Sequence, residues 1–182
     1  MSYLMYELFI LGQLMDHPMT GYALRKAFIN IMGDDQAISF GTLYPLLDKL
    51  ESGNFLALSF KNTENKRPQK LATITEKGTQ QFFKLLAEPV TINKQSQLTF
   101  LMKIHFLHLL DSQQQVKILK DFQEFSQQKL TRLEELREDL KDNPRMIQVD
   151  IDDGLLVKQL QILRAQAQYD WVTKLLQERK GE

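Results

Sequence analysis

The densest group of residues that could do chemistry is a basic segment between Ser59 and Lys77. Five cations against two carboxylates give the segment a local net charge of +3, whereas the whole chain has 23 Lys+Arg and 23 Asp+Glu. Clustered cations suit a phosphate backbone, because each neutralised phosphate releases counterions. The alternative is a hairpin whose charges only keep it solvated, and charge alone does not decide between the two. The five cations are Lys61, Lys66, Arg67, Lys70 and Lys77.

Two other groups of residues could hold a metal ion. His105 and His108 lie three residues apart on a predicted helix, but no acidic third ligand accompanies them, so core histidines are the favoured interpretation. The aspartates before Gly154 suggest a calcium loop, yet the twelfth position is Gln161, where an EF-hand needs Glu. Acidic residues at the start of a helix explain them better. These aspartates are Asp150, Asp152 and Asp153.

The composition excludes several classes of protein. The sequence has no Cys, and no Ser-His-Asp set, phosphate-cradling glycine loop or paired-carboxylate catalytic motif is evident in it. We therefore expect no enzymatic activity, no cofactor and no metal. Hydrophobic residues make up 43% of the 182 residues, enough for a core. No signal peptide or membrane-spanning run is evident, which favours a soluble, cytoplasmic protein without a membrane partner.

Short elements separated by turns are predicted for the first half of the chain. Leucines at helical spacing from Leu4 predict a helix that Pro18 ends, and Thr20 is a plausible N-cap for a second helix. A third helix extends to Asn54, which can adopt the left-handed conformation that closes a helix. Its cap is either Ser39 or Thr42, because Pro45 is costly deep inside a helix.

Two strands and a fourth helix follow. Phe55–Phe60 and Gln69–Thr75 are predicted strands on either side of a polar loop at 61–68, and Thr75 caps a helix that ends near Ala87. Three helices, a strand, a loop, a strand and a helix are the element order of a winged helix-turn-helix. The fold class is therefore mainly α, with a winged helix-turn-helix DNA-binding domain followed by a long-helix dimerisation domain.

The boundary between the two domains is placed at Glu88–Pro89, giving domains at 1–88 and 89–182. Six of the eight Gly precede Pro89, while most Gln follow it, so few long helices are expected there. We predict helices from Ser96 to Leu110, from a capping box at Ser112–Gln115 to Lys141, and from near Asp152 onward. Long helices with narrow apolar seams need each other or a second copy of the chain. The seam of the last helix consists of Leu156, Leu160, Leu163, Ala167 and Trp171.

Small and polar groups at the start of the third helix gain meaning from this element order. Ser39, Gly41, Thr42 and Tyr44 lie where a helix-turn-helix reaches base edges and phosphates, and Lys49 could add a phosphate contact. The wing of this fold is the hairpin formed by the two predicted strands and the segment between them. Its candidate phosphate contacts are Lys66, Arg67 and Lys70.

Several short motifs resemble the PadR family of bacterial transcriptional regulators. The Gly-Thr-Leu-Tyr-Pro stretch at 41–45 followed by Leu50-Glu51 is the specific signal, and Asn54 departs from the glycine usual in the family. The part after Pro89 is similar, by pattern, to the longer branch of that family, which carries a virulence-activator-like helical domain. The other matching motifs are Leu11-Gly12, Thr20-Gly21-Tyr22-Ala23-Leu24 and Ile74-Thr75-Glu76-Lys77-Gly78.

The resemblance implies a homodimer, joined through its C-terminal helices, that binds a palindromic double-stranded DNA operator, usually as a repressor. Tyr22 and Pro45, which lie within the motifs, complete the candidate DNA-binding residues. Some members of the family respond to small aromatic molecules, so Phe100, His105 and Trp171 are candidate effector-binding residues. The alternative is that such side chains lie in the core or in the dimer interface. The competing function is a winged-helix protein-interaction module that does not bind DNA.

Overall fold

The computed structural model describes the backbone of residues 4–63 and 66–180, and their side chains except those of 61–63, 66–69 and 180. The chain is mainly helical with one small sheet, which confirms the predicted fold class. Two 3₁₀ turns, Asp34–Gln36 and Leu107–Leu109, connect longer elements. The helices and strands are α1 (Leu4–Gln13), β1 (Met19–Thr20), α2 (Gly21–Met32), α3 (Phe40–Ser52), β2 (Leu56–Thr63), β3 (Lys66–Ile74), α4 (Glu76–Ala87), α5 (Ser96–His105), α6 (Ser112–Lys141) and α7 (Gln148–Lys180).

Side-chain caps fix where the helices of the first half begin. The Thr20 hydroxyl accepts a hydrogen bond from the Ala23 amide at 3.2 Å, as expected. The Ser39 hydroxyl accepts from the Thr42 amide at 3.1 Å, so Ser39 rather than Thr42 caps α3. Pro45 therefore lies inside the helix, where it has no N–H to donate to the Gly41 carbonyl.

The end of α3 depends on one left-handed residue. Asn54 has a φ of 58°, while its amide donates to the Glu51 carbonyl at 2.8 Å and the Phe55 amide donates to the Leu50 carbonyl at 2.9 Å. These two bonds form a Schellman motif, which satisfies carbonyls that the helix end leaves without partners. The predicted role of Asn54 is confirmed.

Replacing Asn54 by Ala should lower the free energy of unfolding by about 1 kcal/mol, because a Cβ without a polar side chain is disfavoured in the left-handed region. Asn54→Gly is the matched control, and we expect its stability to stay within about 0.5 kcal/mol of the parent. Urea denaturation of both variants measures the difference. Equal stability of the Ala and Gly variants would contradict the role of the left-handed conformation.

The three strands form one antiparallel sheet in the order β1-β3-β2. Sequence reasoning missed the two-residue β1, and the predicted loop at 61–68 is wrong for most of its length, because β2 and β3 extend into it. Lys61 pairs with Gln69 and Thr63 with Lys66, so the register shifts between these pairs. Pro68 lies within that irregular stretch, where a missing amide is tolerated.

Aromatic rings fill the core of the first half. Phe9 and Phe28 meet edge-on with ring centroids 5.0 Å apart, and Phe82 and Phe106 do so at 5.3 Å. A Cβ on Gly12 would lie 2.4 Å from the Phe106 ring, so Gly12 leaves the space that this ring occupies. Residues up to Phe106 form one compact unit.

Helix α5 packs within this first unit and ends at His105, earlier than the predicted Leu110, because a 3₁₀ turn replaces its last turn. The buried ammonium of Lys103 donates to the backbone carbonyls of Leu86 at 2.9 Å and of Glu88. A cation at the C-terminal end of α4 is favourable because the last carbonyls of a helix carry partial negative charge.

The second compact unit begins at Leu107 and contains α6 and α7. Helix α6 has the predicted capping box one residue early, since Asp111 rather than Ser112 is the cap and Gln114 its partner. Helix α7 begins at Gln148, before the predicted start near Asp152. The domain boundary predicted at Glu88–Pro89 stays a prediction. By packing, α5 lies within the first compact unit.

Polar contacts fix the register of the α6–α7 pair. The buried Ser126 hydroxyl accepts a hydrogen bond from the Gln168 amide at 2.8 Å, and the Gln123 amide donates to the Thr173 hydroxyl at 2.7 Å. At the end of α6, hydrogen bonds from Lys141 and Arg137 hold the pKa of the Glu138 carboxyl below its usual value. No helix in the described part of the chain is long and apolar enough to cross a membrane.

Candidate DNA-binding surface

One face of α3 packs into the core and the opposite face is exposed. Gly41, Tyr44, Pro45 and Lys49 lie on the exposed face. Gly41, Pro45 and Lys49, together with Thr42 and Leu46, line a shallow cleft of about 290 Å³. The buried face consists of Leu43, Leu46, Leu47 and Leu50. Within each face the residues are spaced three or four apart, as in any amphipathic helix.

The start of α3 carries two hydroxyl groups in contact. The Ser39 and Thr42 side-chain oxygens lie 3.0 Å apart, while the Ser39 hydroxyl also accepts the Thr42 amide. Ser39 is exposed and Thr42 is half-buried. Both hydroxyls lie at the positive end of the helix dipole, which favours a nearby anion.

Two tyrosines are exposed on α2 and α3. The Tyr44 ring packs on Gly21, where an added Cβ would lie 2.9 Å from the ring. Tyr22 is 64% exposed on α2. The motifs that contain Gly21 and Tyr44 are thus brought into contact by the packing of α2 on α3.

Sequence reasoning missed two residues beside Tyr44. Phe40, the first residue of α3, is 41% exposed and stacks on Tyr44 with centroids 5.7 Å apart and an interplanar angle of 22°. The Arg25 side chain donates from Nε to the Ile38 carbonyl at 3.0 Å, and its guanidinium lies 5.1 Å from the Phe40 ring centroid. An aromatic pair four residues apart, at 40 and 44, was the available signal.

The described cations of the basic segment bind protein groups. Lys70 pairs with Asp48 of α3 at 3.2 Å, which ties β3 to that helix. Lys77 donates to the Gly53 carbonyl at 2.8 Å and lies 4.8 Å from the Phe55 ring centroid. The side chains of Lys61, Lys66 and Arg67 are outside the described residues.

The candidate effector residues lie in different settings. Phe100 is 3% exposed, in the core of the first unit. The His105 ring nitrogen Nε2 lies 3.0 Å from the Gln13 side-chain nitrogen in the same unit. Trp171 is exposed on α7 of the second unit. Among the described residues no group of three or more His, Cys, Asp or Glu side chains could hold a metal ion.

Two family models match successive parts of the chain. Residues 10–84 match the model of the transcriptional regulator PadR-like family, and residues 99–179 match that of the virulence activator alpha C-terminal region. The chain combines a PadR-like transcriptional-regulator domain with a virulence-activator-like C-terminal domain. Both parts of the resemblance drawn from the sequence motifs are thereby confirmed.

Relatives of this PadR-like regulator include characterised proteins. It is 26% identical over 125 residues to the negative transcriptional regulator PadR of Bacillus subtilis (strain 168), with 69% of each chain covered. The structure of Bacillus subtilis PadR in complex with operator DNA has a TM-score of 0.45 and 22% identity, covering 95% of this chain and 97% of that one. The Vibrio cholerae virulence activator AphA has a TM-score of 0.39 and 19% identity, covering 96% and 98%.

Proposed function

We propose that this PadR-like regulator binds a palindromic DNA operator as a homodimer and represses transcription there. The observation that carries the proposal is the exposed start of α3, where Ser39, Gly41, Thr42 and Tyr44 lie away from the leucines that hold the helix in the core. Small and hydroxyl-bearing side chains at this end allow close approach and hydrogen bonding to base edges in a major groove.

Around this helix start, the other candidate residues take complementary roles. Tyr22 on α2 offers an exposed phenol to a flanking phosphate, Pro45 forms part of the apolar cleft wall and Lys49 extends the surface with a cation. Lys66 and Arg67 hold phosphates from the wing. Lys70 contributes mainly by fixing the wing to α3 through Asp48.

A second copy of the chain is the proposed partner of α7. Leu156, Leu160, Leu163 and Trp171 are between 48 and 65% exposed, although they form a continuous apolar row with Ala167. Rows of this spacing bury themselves against another helix. A dimer with two-fold symmetry places two winged helices on one duplex, so its operator is an inverted repeat.

Repression and effector control are the finer parts of the proposal. The curated relative from Bacillus subtilis is described as a negative regulator, which favours repression. A small aromatic effector acts only by preferring the conformation that does not fit the operator, since equal affinity for both conformations shifts nothing. Phe100, His105 and Trp171 stay the candidate effector-binding residues, each within its own unit. Trp171 is the single Trp of the chain, so its fluorescence reports binding of an added phenolic acid.

The competing function is a protein-interaction module that does not bind DNA. Its support is the zero net charge together with the exposed row on α7. Selection of bound fragments from random duplex DNA separates the two functions. An enriched inverted repeat supports the regulator, and weak binding with no enriched site overturns it.

Removing the positive charges of Lys66 and Arg67 should weaken operator binding without changing which DNA sequence is preferred. The variant is Lys66→Ala with Arg67→Ala, which takes four positive charges from a dimer. If all four hold phosphates, the slope of log K against log salt becomes shallower by about 3.6. Titration of the selected operator at several salt concentrations measures the slope.

The matched control removes the same charge from α6, where Lys117 and Lys120 are exposed. The double variant Lys117→Ala with Lys120→Ala should keep the parent slope. An unchanged slope in the wing variant would contradict the assigned role of Lys66 and Arg67.

A further inference from the structure

Phe40 is an exposed aromatic residue that the core does not need. It begins α3 and is 41% exposed, whereas the buried face of the helix consists of leucines further along. Its neighbours on the exposed surface are Ser39 and Tyr44, both part of the proposed DNA-binding surface. Single exposed apolar residues are common in soluble proteins, so exposure alone says little.

The environment of the Phe40 ring is more informative than its exposure. Tyr44 stacks on the ring from the next turn, with 5.7 Å between centroids, and is itself seated on Gly21. The Arg25 guanidinium lies 5.1 Å from the ring centroid and is fixed by the bond from its Nε to the Ile38 carbonyl. Both neighbours contact the ring through attractive stacking and cation–π interactions, which favour this position of Phe40.

We propose that Phe40 determines sequence specificity by contacting the C5-methyl group of a thymine in the operator. The inference rests on the proposed function, because it needs α3 in a major groove. Phe40 has no hydrogen-bonding group, and the thymine methyl is the apolar group that base pairs present in that groove. Arg25 and Tyr44 are positioning residues for the ring. The hydroxyls of Ser39 and Thr42 remain for hydrogen-bonded contacts beside it.

The test removes the methyl group from the DNA and the ring from the protein. The operator selected by the full-length protein is synthesised with each thymine, and its symmetry mate, replaced by deoxyuridine. We expect one such replacement to weaken parent binding by about fourfold per half-site, the value of one buried methyl group. Phe40→Ala should bind more weakly to the thymine operator and show the same affinity for both operators.

Two further variants separate this contact from general effects. Phe83→Ala removes a ring of similar exposure, 38%, from α4 and should keep the full sensitivity to deoxyuridine. Arg25→Lys keeps the positive charge but loses the planar group over Phe40, so sensitivity to deoxyuridine should fall while the salt slope stays unchanged. Circular dichroism of each variant establishes that it is folded.

The outcomes distinguish the two proposals. Operator binding that is insensitive to every deoxyuridine replacement overturns the role of Phe40 and leaves the proposed function in place. Equal sensitivity in the parent and in Phe40→Ala also overturns it, since another residue would then contact the methyl group. Failure of the parent protein to select any DNA site overturns the proposed function and the Phe40 contact together.

Discussion

Gly78→Ala should destabilise the winged helix by about 3 kcal/mol, the upper end of the usual range for forcing atoms into a packed site. A Cβ at Gly78 would lie 1.8 Å from the Phe55 carbonyl oxygen and 2.8 Å from the Ile74 side chain. The close atom is backbone, so relief requires movement of the first turn of α4 away from the start of β2. Denaturation by urea measures the loss against a total stability of about 5–15 kcal/mol.

The movement would also break bonds that join α4 to the end of α3. The Thr75 amide donates to the Phe55 carbonyl at 3.1 Å, and the Thr75 hydroxyl donates to the Asn54 carbonyl at 2.7 Å. The same hydroxyl accepts the Gly78 amide at 3.0 Å as the cap of α4. Gly78 therefore holds together the end of α3, the base of the wing and the start of α4.

Gly41→Ala is the matched control, because Gly41 also belongs to a family-like motif but has open space around it. An added Cβ there would meet only the Ser39 oxygen, at 3.8 Å, which is ordinary contact. Alanine favours a helix over glycine by about 1 kcal/mol, so this variant should be as stable as the parent or more so. Its added methyl lies on the exposed face of α3 and should weaken operator binding. A large loss of stability in Gly41→Ala, or none in Gly78→Ala, would contradict this division of roles.

The sequence predicted the parts of the fold that depend on local chemistry. Caps at Thr20 and Thr75 and the left-handed residue at Asn54 follow from the preferences of single side chains, and the structure has all three. The order of the predicted helices and strands was sufficient to predict a winged helix-turn-helix. The pattern at 75–78 was recognisable as a motif. The need for glycine at position 78 was not, because it comes from the close approach of the Phe55 carbonyl, more than twenty residues earlier.

Features that depend on contacts between elements were missed or misplaced. The predicted loop at 61–68 is polar and turn-forming, yet pairing across the hairpin extends both strands into it. Arg25 has no local signal, because its partners Ile38 and Phe40 come from the next helix and the residues before it. The phosphate contact of Lys70 stays a prediction, and its ion pair with Asp48, which links strand to helix, had no signal in the sequence.

Replacing Leu160 by Glu should convert the proposed dimer to a monomer. Helix α7 has two apolar faces: one, including Ile151, Ala165 and Val172, is buried, while the row containing Leu160 is exposed. At 3.6 residues per turn, this row lies on the opposite side of α7 from the buried face, so α6 does not cover it. A charge in the middle of an interface helix row has to be buried without a partner, which costs several kcal/mol per subunit. Sedimentation equilibrium measures the change in association.

The loss of the dimer should carry over to DNA binding. A monomer contacts one half-site, so operator affinity should fall by at least about a hundredfold, and a single half-site should bind as well as the full repeat. Gln159→Glu adds the same charge to an exposed position beside the row and should remain dimeric. If Leu160→Glu stays dimeric, another surface joins the subunits. If it becomes monomeric yet keeps full operator affinity, the two half-sites are bound independently, and the link between the α7 row and operator recognition is wrong.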